Sequence, residues 1–100
     1  MFAAIRYYRA EPPSIEEVVR RVEQDFVPVI RGMAGFVSYF VLVPSEREEE
    51  IVSVSVFEDQ RSAEESNRKA TEWVAQNLSE HLRPSPEFAD GQVVVYEASQ

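Results

Sequence analysis

Residues 57–82, FEDQRSAEESNRKATEWVAQNLSEHL, carry a β-rich run straight into one long amphipathic helix. This junction constrains the chain most, because a helix with an apolar stripe must bury it against the sheet that feeds it. Ala63, Ala70, Val74 and Leu78 form the stripe, and the polar Asn67, Asn77 and His81 fall on the same face. A buried stripe normally keeps such groups out unless they are hydrogen-bonded. They are the first place to look for a small-molecule site. Ser62 begins an S-x-x-E capping box with Glu65, and Pro84 and Pro86 stop the helix, which is expected over residues 62–82.

The remaining segments read in order. Residues 2–8 (FAAIRYY) are short and aromatic-rich, a strand closed by Pro12-Pro13. Ser14 and Glu17 form a second capping box. Behind it, Ile15, Val18, Val19, Val22, Phe26, Val29 and Ile30 recur at three- and four-residue steps, one stripe of a first helix whose end Pro28 must kink. Gly32 and Gly35 mark its exit, where positive φ is often required. Residues 35–43 and 51–57 are two further strands, and the short acidic connection between them implies an antiparallel hairpin. Residues 83–91 read as a loop, residues 92–97 (QVVVYE) as the last strand, and residues 98–100 as a frayed end.

Composition narrows the function classes. The chain has 100 residues, 44% of them hydrophobic and 28% charged, the profile of one globular domain. No run approaches the roughly 20 apolar residues of a membrane span, and no secretory leader pattern opens the chain. Cysteine is absent, which removes disulfides, thiolate chemistry and cysteine-ligated zinc, and makes the cytoplasm the default location. The net charge of −8 argues against nucleic acid, whose phosphates need clustered Lys and Arg. A single histidine makes a metal site improbable.

The order β-α-β-β-α-β is the ferredoxin-like split motif, an α+β fold. Right-handed crossovers put both helices on one face of a four-stranded antiparallel sheet. Yet the strands are apolar on both faces. Phe36, Phe40 and Leu42 point one way and Val37, Tyr39, Val41 and Val43 the other, while Val52, Val54 and Val56 oppose Ile51 and Phe57. Only a second copy packed sheet to sheet covers the uncovered side economically, so a homodimer is expected.

These residues resemble the dimeric α/β-barrel superfamily, specifically its antibiotic biosynthesis monooxygenase-like domains. Gly35-Phe36-Val37-Ser38-Tyr39 is similar to the G-F-x-x-Y segment that opens the family's second strand. Phe57, Ser62-Ala63, Ser66-Asn67, Ala70 and Trp73 resemble its third-strand exit and second-helix pattern, and Gly91 precedes an apolar run as in the family. The likeness covers almost the whole chain. It implies a dimer and, as activity, cofactor-independent oxygenation of a hydrophobic, aromatic or polyketide-like molecule in a cavity between helix and sheet. Ala34 departs from the proline that often precedes the family's glycine. The haem-degrading branch's asparagine is replaced by Arg6-Tyr7-Tyr8, and its earlier helix tryptophan by Ser66-Asn67, so haem degradation is not expected.

Asn67 and His81 are the candidate catalytic residues: the amide would orient a carbonyl or hydroxyl, and the imidazole would move a proton near neutral pH. Trp73, Asn77, Tyr39 and Arg6 are the candidate ligand-binding residues, with no metal and no cofactor expected. Structural roles compete with each assignment. His81 at a helix end meets free carbonyls, Asn77 bonds backbone, Trp73 and Tyr39 pack, and a mid-strand Arg6 escapes at a sheet edge or wants a carboxylate.

Two functions stand beside each other: the oxygenase, and a non-catalytic small-molecule-binding or stress-associated dimer with a small or filled pocket. Acylphosphatase shares the element order, but residues 8–13 (YRAEPP) make a poor anion loop. RNA binding lacks the basic surroundings it needs. The dimer is directly testable. Sedimentation at micromolar concentration should show twice the chain mass, through an interface of ~800 Å² per subunit; a clean 11.5 kDa monomer would overturn it.

Overall fold

The computed structural model describes residues 1–99, without the side chains of Pro84 and Pro86. Strand β1 (Phe2–Arg9) enters a long helical run, here called α1 (residues 12–31). Strands β2 (Phe36–Leu42) and β3 (Glu50–Phe57) form the hairpin, helix α2 spans Gln60–Asn77, and β4 spans Arg83–Gln92. The strand order is β2-β3-β1-β4, and every pairing is antiparallel. This is the ferredoxin-like βαββαβ arrangement. No helix among the described residues is long and apolar enough to cross a membrane.

The first helix is continuous but not uniform. Pro12–Arg21 is α-helical, Val22–Phe26 is a π turn, and Val27–Arg31 is α-helical again. Pro28 explains the widening. It has no N–H for the carbonyl one turn back and crowds that carbonyl, so the preceding turn relaxes and the Val27 N–H bonds to Val22 O. Neither expected capping box forms. The run begins at Pro12, with Ser14 already inside the first turn and Glu17 paired to Arg20 and Arg21 instead. On α2 the cap is Asp59, whose Oδ1 accepts from the Ser62 N–H at 2.8 Å, while Glu65 bonds Arg68. Aspartate three residues earlier gives a charged acceptor against the helix dipole, which a serine hydroxyl does not match.

Two boundaries differ from the sequence expectation. Helix α2 ends at Asn77, not at residue 82, because its terminal groups find side-chain partners. Asn77 Nδ2 donates to Trp73 O at 2.9 Å, and Arg21 Nη1 donates to Asn77 O at 2.9 Å. A tight turn then carries Leu82 back over Leu78, both fully or nearly fully buried. The last strand is Arg83–Gln92, not residues 92–97. Its register follows β1, from Arg83 opposite Arg9 to Gln92 opposite Phe2, so β1 runs out where residue 92 ends. Beyond it only the Val93 N–H continues the ladder, to Met1 O at 2.9 Å, and Val94 to Tyr96 are exposed. An edge position with a register irregularity between Arg6 and Tyr8 accommodates the prolines. The frayed end expected for residues 98–100 reaches Gln100, which lies outside the described residues.

Alternation along the strands sets two faces. Toward the helices, Ala4, Arg6 and Tyr8 stand beside Ser55, Ser53 and Ile51 and are all buried. Phe57, Phe26, Ile30, Ala63 and Ala70 close one half of this core, and Val18, Ile51, Leu78 and Leu82 the other. Phe36 joins the helix side as well, contrary to its expected place with Phe40 and Leu42. A shift in the β2–β3 register between Phe36 and Ser38 turns it toward Phe57, with ring centroids 5.8 Å apart. Gly35 (φ +78°) makes that approach; a Cβ there would sit 2.8 Å from the Ser62 hydroxyl. The opposite sheet face keeps Val52, Val54 and Val56 flanked by Phe40 and Leu42, the last two 50% and 43% exposed.

The Asp59 cap has a pH signature. The hydrogen bond from the Ser62 backbone holds its carboxyl below the ordinary 3.8. A depressed folded value means the cap's contribution is complete above the unfolded value and is lost as pH falls through the folded one. Asp59→Ala should therefore lower the urea midpoint at neutral pH, with the gap from the parent protein closing below pH 3.8.

Candidate functional site

The site is built around a charge in the middle of the sheet. Arg6 lies in β1, opposite Ser53 of β3 on one side and Phe88 of β4 on the other. Strand alternation turns its side chain under α2, where it is only 5% exposed. Its Nη1 donates to Asn67 Oδ1 at 3.0 Å. Because a guanidinium only donates, this bond orients the amide oxygen toward Arg6 and leaves Asn67 Nδ2 as the donating end. Nε and Nη2 of Arg6 are buried without a partner among the described residues.

Among the described residues no carboxylate pairs with this cation. The ion pairs among the described residues join Glu17 to Arg20 and Arg21, Arg47 to Glu50, and Arg68 to Glu65 and Glu72. Arg6 is in none of them. Two phenols, Tyr8 and Tyr39, feel its charge. Burial pushes the Tyr8 hydroxyl up from 10.0, against the pull of Arg6. Burial likewise raises Tyr39 to about 12, again opposed by Arg6. Both remain neutral hydrogen-bond donors at ordinary pH.

Helix α2 packs on β1 and β3 but stands away from β4. The gap is a cavity of about 510 Å³, with Tyr8, Val74, Leu82 and Phe88 among its walls and the buried Arg6 and the half-buried Asn67 among its polar groups. Arg83 and Glu87, both exposed and of opposite charge, stand at its border. A chamber of this size, largely apolar with a few convergent polar groups, is what a small organic ligand requires.

The sequence candidates divide between locations. Arg6 and Asn67 meet at the cavity. Trp73 and Tyr39 pack on Phe26 instead, with ring centroids at 5.1 and 5.6 Å. They border a void of about 30 Å³ on the far side of Arg6. Asn77 is exposed and bonded to backbone. His81 lies beyond the end of α2, its Nδ1 3.3 Å from Ser14 Oγ, over a separate depression of about 210 Å³ bordered by Glu11, Glu49 and Glu80. Tyr8 and Phe88 line the cavity without having been singled out. Tyr8 was within reach of the strand periodicity, two residues from Arg6 on the same face. Phe88 was hidden because its segment reads as a proline-rich loop.

Removing Asn67 should cost stability as well as function. Asn67→Ala leaves a third Arg6 nitrogen without an acceptor, and unfolding in urea should show a loss of about 1–3 kcal/mol.

Comparison with known proteins places this geometry. HapK from Hahella chejuensis superposes with a TM-score of 0.78 at 16% identity, over 100% of both chains. SnoaB from Streptomyces nogalater, a cofactor-independent oxygenase, gives 0.69 at 14% identity over 95% of this chain and 94% of its own. A Nitrosomonas europaea protein of unknown function gives 0.77 at 12% identity, over 99% and 94%. At these identities the likeness is one of fold. A search of curated proteins finds no significant match. The family model for antibiotic biosynthesis monooxygenases matches residues 1–92, nearly the whole chain from β1 to the end of β4. The protein belongs to the antibiotic biosynthesis monooxygenase family.

Proposed function

We propose that the protein is a homodimeric, cofactor-independent monooxygenase that oxidises a hydrophobic, aromatic or polyketide-like molecule in the cavity between α2 and β4. The observation that carries the reading is the cavity itself: about 510 Å³, apolar in its walls, with the Arg6–Asn67 pair at its buried side. Its size lies within the range of small-ligand sites and above the ~300 Å³ below which a filled, non-catalytic pocket would be favoured. Membership of the family and the shared fold with SnoaB, a cofactor-independent oxygenase, support the same reading.

Such a reaction draws its electrons from the substrate. A ring methylene made acidic by a conjugated carbonyl or phenol loses a proton to water at the open border, leaving an enolate or phenolate. That anion reduces dioxygen and forms a carbon–oxygen bond. Loss of water from the resulting hydroperoxide leaves a ketone, so one oxygen atom enters the product and the other departs as water. The protein's task is to stabilise the anion with fixed donors at the inner side of the cavity. Asn67 Nδ2 is oriented for this by Arg6, and the neutral Tyr8 phenol is a second donor. The open, apolar sheet face carrying Val54, Phe40 and Leu42 is the surface of the dimer.

Oxygen uptake with hydroxylated polycyclic aromatics tests the proposal. Uptake should proceed without added metal or flavin and fall on the order of tenfold or more in Asn67→Ala. Gln76→Ala, on the exposed side of the same helix, should match the parent protein. Binding of these compounds without uptake would leave a binding protein. Uptake indifferent to Asn67 would put the reaction elsewhere.

A further inference from the structure

The gap between α2 and β4 does not end at the large cavity. A recess of about 70 Å³ continues it toward the start of β1, and Asn67 of α2 and Phe88 of β4 are the residues that line both spaces. We propose that the Phe88 side chain is a movable partition that sets how long a ligand the cavity accepts. Swung aside, it admits an uncharged, apolar extension of the ligand into the recess. This rests on the proposed small-molecule reading and adds to it a specificity-determining residue.

Strand register puts Phe88 at this position. It is the cross-strand partner of Arg6, and such partners project from the same face, so the ring lies on the helix side of the sheet. Further along the same pairing, Ala4 stands opposite Asp90 and Phe2 opposite Gln92. Ala4 of β1 and Ala63 of α2 are buried and carry only a methyl group, so the space behind the ring stays unfilled. At about 70 Å³ it takes a few heavy atoms, since ~10–15 Å³ already holds a water. Phe2 adds to its apolar lining. The carboxylates of Glu64 and Asp90 line it too, and they disfavour an acidic extension.

The two sides of the partition differ in freedom. Asn67 is fixed, because its amide oxygen accepts from Arg6 Nη1 at 3.0 Å. Phe88 is not. It is 49% exposed, belongs to neither buried cluster, and makes none of the aromatic pairs among the described residues. Its strand lies at the sheet edge, paired with β1 alone, and the β1–β4 register becomes irregular immediately beside it, between Arg6 and Tyr8. A half-exposed ring without such partners changes rotamer at little cost. Tyr8, an aromatic wall of the same cavity, is by contrast buried and stays in place.

The probes are two naphthols, one carrying a methyl and one a pentyl chain on the ring remote from the hydroxyl, titrated calorimetrically into the full chain. The readout is the ratio of pentyl to methyl affinity, in which a general change in binding cancels. Phe88→Ala should raise this ratio about tenfold over the parent protein, as burial of two or so further methylenes implies. Phe88→Trp thickens the partition and should lower the ratio below the parent's. It keeps an aromatic side chain on the strand, and so covers the case in which Phe88→Ala fails to fold. One ratio shared by the parent and both variants would overturn the inference while leaving the cavity a ligand site. A fall in Phe88→Ala would overturn it as well, since the ring would then hold the chain rather than exclude it. Absence of naphthol binding by all three proteins would overturn the cavity reading and the inference with it.

Discussion

The fold depends on β1 being paired on both sides. Hydrogen-bonded to β3 along one edge and β4 along the other, it cannot rotate or slip without breaking two ladders. That double pairing commits Ala4, Arg6 and Tyr8 to the helix face, whatever their chemistry. A small residue, a charge and an aromatic therefore share one line beneath α2. Ala4 leaves space, Tyr8 fills it, and Arg6 has to find partners where few exist. The site follows from this placement, because only a strand locked in register holds a guanidinium in a core that would otherwise expel it.

The layer above accommodates the charge rather than neutralising it. Asn67 sits mid-helix, where asparagine is mildly unfavourable, and takes one guanidinium nitrogen. Ser53 and Ser55 are buried with unpaired hydroxyls on the same side of the sheet. Around these polar groups, packing is dense on one side and open on the other. Phe26, at the end of the π turn, meets both Tyr39 and Trp73, and together they shut the β2 side of the core. Toward β4 no helix descends and the cavity remains. Phe26 itself stands at the end of the π turn that precedes Pro28.

Much of the architecture was legible in periodicity. Both apolar stripes, the hairpin and the two-faced sheet follow from residue spacing, and so does the demand of Asn67 for a partner. The errors cluster where local signals compete with tertiary pairing. Two S-x-x-E boxes were plausible caps, yet Asp59 and the Pro12-Pro13 start prevailed, because a charged acceptor and a preset φ each stabilise a helix start without rearranging side chains. Residues 92–97 have strong β propensity and residues 83–91 have little, but β1 offers its edge only to the latter. Phe36 changed face through a register shift that no alternation rule contains.

By itself, the sequence determined the kinds of element, their order and the family, and it marked Arg6 and Asn67 as polar groups that would need partners if they lay inside. Spacing along the chain encodes which face a residue occupies, and that is enough for these conclusions. The tertiary structure decided which candidates meet. Arg6 and Asn67 are brought within 3.0 Å by the packing of a strand against a helix sixty-one positions away, while His81 turns off toward Ser14 because α2 stops early. It also decided that a cavity exists, since a void is the space left between α2 and β4 and no residue's own pattern records it. Helical spacing put Asn67, Asn77 and His81 on one face; the structure kept one of them at the cavity, beside a charge from the opposite layer.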